Sequence, residues 1–226
     1  MNKLWYLSKI DIFEVLSDAD LEEIDRMAPM THFKDIKKGT VLQSPEEGES
    51  GLFFIKKGKV RCYRLHEDGK QFTASILGPG NVFGKMNSFS FGTSDLYVET
   101  MDETLICSVL QDDFEQFLLK RPQLAIRMLK ELSDRLQERE ELLEKLALGD
   151  LRDRTLYLFH KLASQFGIQE EDYHRIDVPL SHQEIANMIG ATRESVSVLM
   201  KELAQEGLIK TGRQKVWLLN EAMQTS

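Results

Sequence analysis

Ser181-His182-Gln183-Glu184-Ile185-Ala186-Asn187-Met188-Ile189-Gly190-Ala191-Thr192-Arg193-Glu194-Ser195-Val196-Ser197-Val198-Leu199-Met200-Lys201 decides the fold of the C-terminal third of the chain. Ser181 followed by Glu184 is a capping-box pair, which starts a helix by satisfying the free N–H groups of its first turn. Gly190 comes after Ile189, where a chain leaving a helix passes through a left-handed residue that glycine adopts without steric cost. Thr192 then caps a second helix. Ala186 is small where two helices must cross closely, and Ile185, Ile189, Val196 and Leu199 fall where both helices bury one face. These are the requirements of a helix-turn-helix, whose second helix lies in the DNA major groove.

The exposed face of that second helix begins Thr192-Arg193-Glu194-Ser195, with Ser197 one turn later. Arginine can bond guanine O6 and N7 together, and glutamate can accept from cytosine N4. Ser181, Gln183, Thr192 and Ser195, near helix starts, are placed for phosphate contacts. Lys201, together with Lys210, Arg213 and Lys215 of the hairpin Leu208 to Leu219, adds a basic rim; the hairpin, with Gly212 at its tip, reads as a wing. From Asp150 onward there are 9 basic and 11 acidic residues. Any surface for DNA is therefore a local patch, with the acidic loop Gln169-Glu170-Glu171-Asp172 turned away.

Working outward, the chain has 226 residues with 29 basic and 37 acidic side chains, a net charge of −8. That length supports one or two domains with a sizeable core. From about Phe33 to Leu110, Gly39, Gly48, Gly58, Gly69 and Gly78 recur every 9 to 11 residues between short β-type runs. Evenly spaced short strands with glycine turns predict an antiparallel roll or small barrel. Asp68-Gly69 marks a hairpin within it. Before the roll, Ser17 with Asp20 caps a short helix, with Leu16 and Leu21 at staple positions.

After Pro122, Ala125, Leu129, Leu132, Leu136, Arg139, Leu143 and Leu146 alternate spacings of four and three, a heptad seam. A second stripe, Leu124, Met128 and Leu142, runs beside it. Two stripes suggest a helix that packs on its own domain and also on a symmetry mate. Gly149-Asp150 ends this helix and caps the next, Leu151 to about Phe166; a short strand, Arg175 to Pro179, follows. The fold class is α+β, with an N-terminal domain over 1–120, a dimerisation helix over 121–148 and a DNA-binding domain over 149–226.

Several function classes fall away. Two cysteines, Cys62 and Cys107, fit a reduced cytosolic protein and cannot supply a Cys₄ metal site. The N-terminus lacks the apolar stretch of a signal peptide, and Leu52-Phe53-Phe54-Ile55 is too short to span a bilayer. A cupin-type metalloenzyme needs His-x-His in the roll, where His32 and His66 stand alone. Gly78-Pro79-Gly80 with Gly84 lacks the Lys-Ser/Thr of a phosphate loop and reads as a turn. The chain is not expected to be an enzyme. The alternatives to a DNA-binding regulator are a ligand-sensing module acting through protein contacts and, far behind it, the cupin-type metalloenzyme.

The order of roll, long helix and winged helix-turn-helix resembles the CRP/FNR family of bacterial transcription regulators over nearly the whole chain. The most specific parts are Gln183 to Val196, and in the roll Gly58-Lys59-Val60 with Gly78-Pro79-Gly80-Asn81-Val82-Phe83-Gly84. The resemblance implies a cyclic-nucleotide-binding-like jelly roll and a homodimer pairing through the long helix. It implies recognition helices spaced roughly 34 Å apart on a near-palindromic site, with RNA polymerase as a further partner. Arg193 and Glu194 match the family's base-reading pair, and Ser197 a further reading position; Val198 stands where most members have a second arginine. In the candidate effector pocket, Gly84, Lys85, Met86, Ser94 and Asp95, the family's ribose-binding glutamate is replaced by Lys85. Its phosphate-binding Arg-Ser pair is replaced by Ser94-Asp95. A cyclic phosphate needs a cation, so cAMP and cGMP are not expected to bind, and the effector is left unnamed. No cysteine precedes Cys62, which removes the iron–sulfur cluster of the oxygen-sensing branch. No cofactor is predicted, although haem, needing one histidine, is left open.

Overall fold

A computed structural model of the protein describes residues 7–27, 34–46, 51–86 and 89–220. They divide into two compact units, one built from residues 1–65 and 74–137, the other from 66–73 and 138–226. Gly48 and His32 lie outside the described residues.

The first unit opens with a 3₁₀ turn, Asp11–Phe13, and helix α1, Asp18–Met27. Ser17 and Asp20 cap α1 reciprocally, each side chain bonding the other's backbone N–H. Two four-stranded antiparallel sheets then form the roll. One has the order β1 (Lys34–Ile36), β8 (Thr104–Leu110), β3 (Gly51–Lys57), β6 (Val82–Lys85). The other has the order β2 (Val41–Gln43), β7 (Tyr97–Thr100), β4 (Val60–Leu65), β5 (Gln71–Leu77). Ile55, Val60, Cys62, Leu77, Phe83, Leu96 and Val98 fill the interior, and Phe53 stacks on Phe83 at 5.1 Å. The roll is a packed core.

Helix α2, Gln111–Leu119, and helix α3, Pro122–Leu148, follow. Over 27 residues α3 is about 40 Å long. Its N-terminal half belongs to the first unit: Leu124 and Met128 are buried in the cluster that holds Phe13, Phe54 and Phe117, and Leu132 packs against it. Arg135 donates to the carbonyls of Val82 (2.9 Å) and Phe91 (3.0 Å). Two of the seven seam positions therefore differ from the heptad reading. Leu132 is spent on its own unit, and Leu146 is half-buried, its Cδ2 near Gly190. The exposed apolar stripe is instead Ile126, Leu129, Leu136 and Leu143, each 59–67% exposed. Ala125 is half-buried and Arg139 exposed.

The second unit contains α4, Leu151–Phe166, started by a capping box between Asp150 and Asp153. Its four-stranded antiparallel sheet has the order β11 (Ile209–Gly212), β12 (Lys215–Leu219), β10 (Tyr173–Ile176), β9 (Gly167–Glu170). The acidic segment expected as a loop is partly strand β9, and Glu170 is held by Arg175 (2.7 Å) and Trp217 Nε1 (2.8 Å). Those bonds keep its carboxyl below the usual range. The wing turn is Arg213-Gln214, with Gln214 at φ 56°; Gly212, expected at the tip, is the last residue of β11.

Candidate DNA interface

Helix α5, His182–Ile189, and helix α6, Arg193–Gln205, are set by their end residues. Ser181 Oγ accepts from Glu184 N at 3.1 Å, and Thr192 Oγ1 from Ser195 N at 3.1 Å. Gly190, at φ 64° and ψ 43°, turns the chain between them, and Ala191 N closes back on Ala186 O at 3.0 Å. A side chain at Gly190 would meet only Leu146 Cδ2, at an ordinary 3.8 Å, so the requirement is the left-handed backbone itself, worth about 1 kcal/mol or more. Ile185, Ala186, Met188 and Ile189 bury the inner face of α5; Val196, Leu199, Met200 and Leu203 bury that of α6.

Arg154 on α4 donates to Ile189 O at 3.2 Å, satisfying a carbonyl that the end of α5 leaves open. Arg152 on the same helix pairs with Glu206, the residue that ends α6. Neither arginine belonged to the sequence pattern, because each acts on a helix remote in the chain.

The outer face of α6 presents Arg193, Glu194, Ser195, Val198, Lys201 and Glu202, all exposed. Thr192 is exposed too, and its hydroxyl lies 2.9 Å from that of Ser195. Gln183 is exposed and donates to Asn187 at 2.8 Å. Ser181 is half-buried with its hydroxyl spent on the cap. Arg213 and Lys215 are exposed at the wing turn, and Leu180 N donates to Gln214 O at 3.1 Å, which anchors that turn beside the start of α5. Lys210 sits 3.8 Å over the Tyr173 ring. Arg193 and Lys201 on α6 and Lys210, Arg213 and Lys215 on the hairpin supply five cations, and the N-terminus of α6 itself favours anions.

Ser197 departs from its expected place. It is half-buried; its hydroxyl donates to Arg193 O at 2.9 Å and lies 2.7 Å from His182 Nδ1. That side chain holds the two helices together instead of facing outward. Val198, its neighbour, takes the outward position and is 59% exposed.

The five candidate effector residues have separate environments. Gly84, at φ 110°, approaches Gly51 O so closely that a Cβ would lie 2.3 Å from it. Its N–H donates to Thr93 Oγ1 at 3.0 Å, and its carbonyl accepts from Phe91 N at 3.1 Å. Lys85 ends β6 half-exposed, and Met86 is buried in the core. Ser94 donates to Ser90 at 2.7 Å, while Asp95 points to Arg64 at 3.8 Å. Gln43 donates to the carbonyls of Thr93 and Leu96, tying this loop to β2.

A groove of about 900 Å³ lies between the C-terminal half of α3 and α4, lined in part by Glu138, Glu141, Glu144, Tyr157, His160 and Lys161. Its acidic wall opposes a phosphate backbone. Burial lowers the His160 pKa and raises that of Tyr157. His66 bonds Asp68, and His174 bonds Asn220. Among the described residues no three His, Cys, Asp or Glu side chains gather as a metal site. Cys62 and Cys107 are buried and neither is in a disulfide, and burial pushes the Cys107 thiol to about 11. No helix among the described residues is long and apolar enough to cross a membrane.

Residues 153–223 match the family model of the Crp-like helix-turn-helix domain, and residues 33–121 that of the cyclic nucleotide-binding domain. The chain is 32% identical over 178 residues to the global nitrogen regulator of Synechocystis sp., covering 78% of this chain and 79% of that protein. The chain belongs to the CRP/FNR family of transcription regulators. The CRP-like cAMP-activated global transcriptional regulator of Mycobacterium tuberculosis is 31% identical over 166 residues, 73% of this chain and 74% of that one. A mutant of CooA from Carboxydothermus hydrogenoformans superposes with a TM-score of 0.72 at 25% identity, covering 89% of this chain and 87% of that one. As a CRP/FNR regulator the protein binds DNA through the winged helix-turn-helix just described.

Proposed function

We propose that the protein regulates transcription as a homodimer that reads a near-palindromic DNA site, and that cyclic nucleotides do not control it. The pairing rests on one observation, the exposed stripe Ile126, Leu129, Leu136 and Leu143 on a helix whose opposite face is already spent. A symmetric pair buries eight such side chains, each worth about 1.5–3 kcal/mol when fully buried. That is enough to offset an association cost of roughly 4–15 kcal/mol. Arg193 and Glu194 read base edges; Gln183, Thr192, Ser195, Lys201, Lys210, Arg213 and Lys215 face phosphates.

Independence from cyclic nucleotide is supported by what the roll does with its own groups. The N–H groups of Gly84, Phe91 and Gly92 are bonded within the loop, and Asp95 places negative charge where a phosphate would need a cation. RNA polymerase is the machinery on which such a regulator acts, and a DNA partner with reduced thiols suits the bacterial cytoplasm. Selection of bound sequences from a random DNA library by the purified protein, with and without millimolar cAMP, tests the reading. The expected result is a two-fold symmetric motif, half-sites one helical turn apart, unaltered by cAMP. A motif that emerges only with cAMP would overturn the effector part, and an asymmetric single half-site the dimer part.

A further inference from the structure

We infer that Val198 is a base-reading residue and that the feature it reads is the 5-methyl group of a thymine; this rests on the DNA-binding reading above. Val198 lies on the exposed face of α6, four residues after Glu194, and is 59% exposed. Every other large apolar side chain of α6, including Val196, Leu199, Met200 and Leu203, is buried. Arg193, Glu194, Ser195, Lys201 and Glu202 surround it on that face. The polar candidate one position earlier is withdrawn, because the Ser197 hydroxyl is engaged by His182 and by Arg193 O. The valine is therefore what this turn of the helix offers to a groove.

The chemistry of the groove then narrows the choice. Major-groove edges of guanine, cytosine and adenine present only donors and acceptors, whereas thymine adds a methyl group. A branched apolar side chain bonds to none of the polar edges and would leave them desolvated and unpaired. Against a methyl group it buries two apolar surfaces at once. The four residues from Glu194 to Val198 advance α6 by about 6 Å, no more than two base-pair steps of ~3.4 Å. The methyl-bearing thymine thus falls within about two base pairs of the pair that Glu194 reads.

The test uses the full-length protein and the motif selected from the library. Each thymine is replaced by uracil, which lacks only the methyl group, symmetrically in both half-sites, and binding is measured by fluorescence anisotropy. At one symmetric position wild-type binding should weaken about fourfold per half-site, which corresponds to the ~0.8 kcal/mol of one buried methylene-sized group. For the whole palindrome the loss is about sixteenfold. With Val198→Ser the thymine-to-uracil ratio at that position should fall to within about twofold of unity. Uracil tolerated at every position by the wild type, while the motif itself is still selected, would overturn the assignment. So would a Val198→Ser protein that keeps the wild-type ratio. A library that yields no motif at all would instead sink the DNA-binding reading, and the two failures are told apart by whether selection occurs.

Discussion

His182 Nδ1 lies 2.7 Å from Ser197 Oγ, joining the first turn of α5 to the second turn of α6. The same Ser197 hydroxyl lies 2.9 Å from Arg193 O, so one side chain ties the imidazole to the backbone of α6. The pair fixes the angle at which α6 leaves the turn, and through it the direction of Arg193 and Glu194.

Ser197→Ala removes both bonds but no outward-facing group. The expected cost is about 1 kcal/mol, or a Tm lower by roughly 2–4 °C for a chain of this size. The selected DNA motif should stay that of the wild type. A changed base preference in Ser197→Ala, with Tm unmoved, would restore Ser197 to the reading face.

Arg193 and Glu194 carry no partner role of that kind, and their substitution should act on sequence preference. Arg193→Ala and Glu194→Ala are each expected to cost about 1–3 kcal/mol at one base pair and to relax selection there. Lys201→Ala, Arg213→Ala and Lys215→Ala should weaken binding alike on all sequences. Each should also reduce the slope of log affinity against log salt by about 2 on the full palindrome, about 1 per half-site. Anisotropy titrations at three salt concentrations on cognate and scrambled DNA separate the two classes. Equal losses on both DNAs for Arg193→Ala would move it to the phosphate group.

Much of this was legible in the chain because the signals are local. Ser181, Gly190 and Thr192 specify two helix ends and a turn within a dozen residues, and the structure puts all three to that use. Glycines spaced every 9 to 11 residues marked the roll because Gly39, Gly58, Gly69 and Gly78 fall between its short strands. Strand β9 gave no such signal: Gly167–Glu170 is exposed throughout, so it has no apolar alternation, and it exists because β10 pairs with it. The heptad count on α3 could not divide its positions between the protein's own core and a partner. Leu132 and Leu136 look equivalent in the sequence, yet only the first packs against the buried cluster that holds Leu124 and Met128. Ser197 reads as outward-facing in the sequence for the same reason: its partner His182 arrives from another helix.

Lys56 makes the roll sensitive to alkaline pH. It sits where the register of β3 on β8 shifts, and it is only 9% exposed. Burial draws its pKa down to about 8, against the opposing pull of Cys107 and Asp25. Between about 8 and its ordinary 10.5 the unfolded chain holds more protons than the native one. Native stability contributed by this group therefore rises with pH across that window, and below 8 the full cost of the buried ammonium applies. Lys56→Met should be more stable than the wild type at pH 7, by on the order of 2 kcal/mol, with the advantage shrinking by pH 9.5. Urea unfolding at the two pH values reads this directly. An advantage that does not vary with pH would mean that packing, not the ammonium, sets the difference.

Leu136 and Leu132 are four residues apart on α3 and should answer oppositely to substitution. Leu136 is 59% exposed on the outward stripe, so Leu136→Glu removes nothing from the protein's own core. In a paired dimer, however, it places two carboxylates against apolar neighbours at the symmetry axis, where each lacks a partner. Sedimentation equilibrium should show that variant as a monomer with wild-type far-ultraviolet circular dichroism. Its affinity for the full palindrome should fall to about that for one half-site. Leu132→Ala takes volume from the cluster that holds Leu124, Met128 and Phe117, and should cost about 2 kcal/mol of stability while the protein stays dimeric. Were Leu136→Glu to sediment as a dimer and bind the palindrome normally, the stripe would not be the pairing surface. The contrast with Leu132→Ala guards against mistaking a general loss of stability for dissociation.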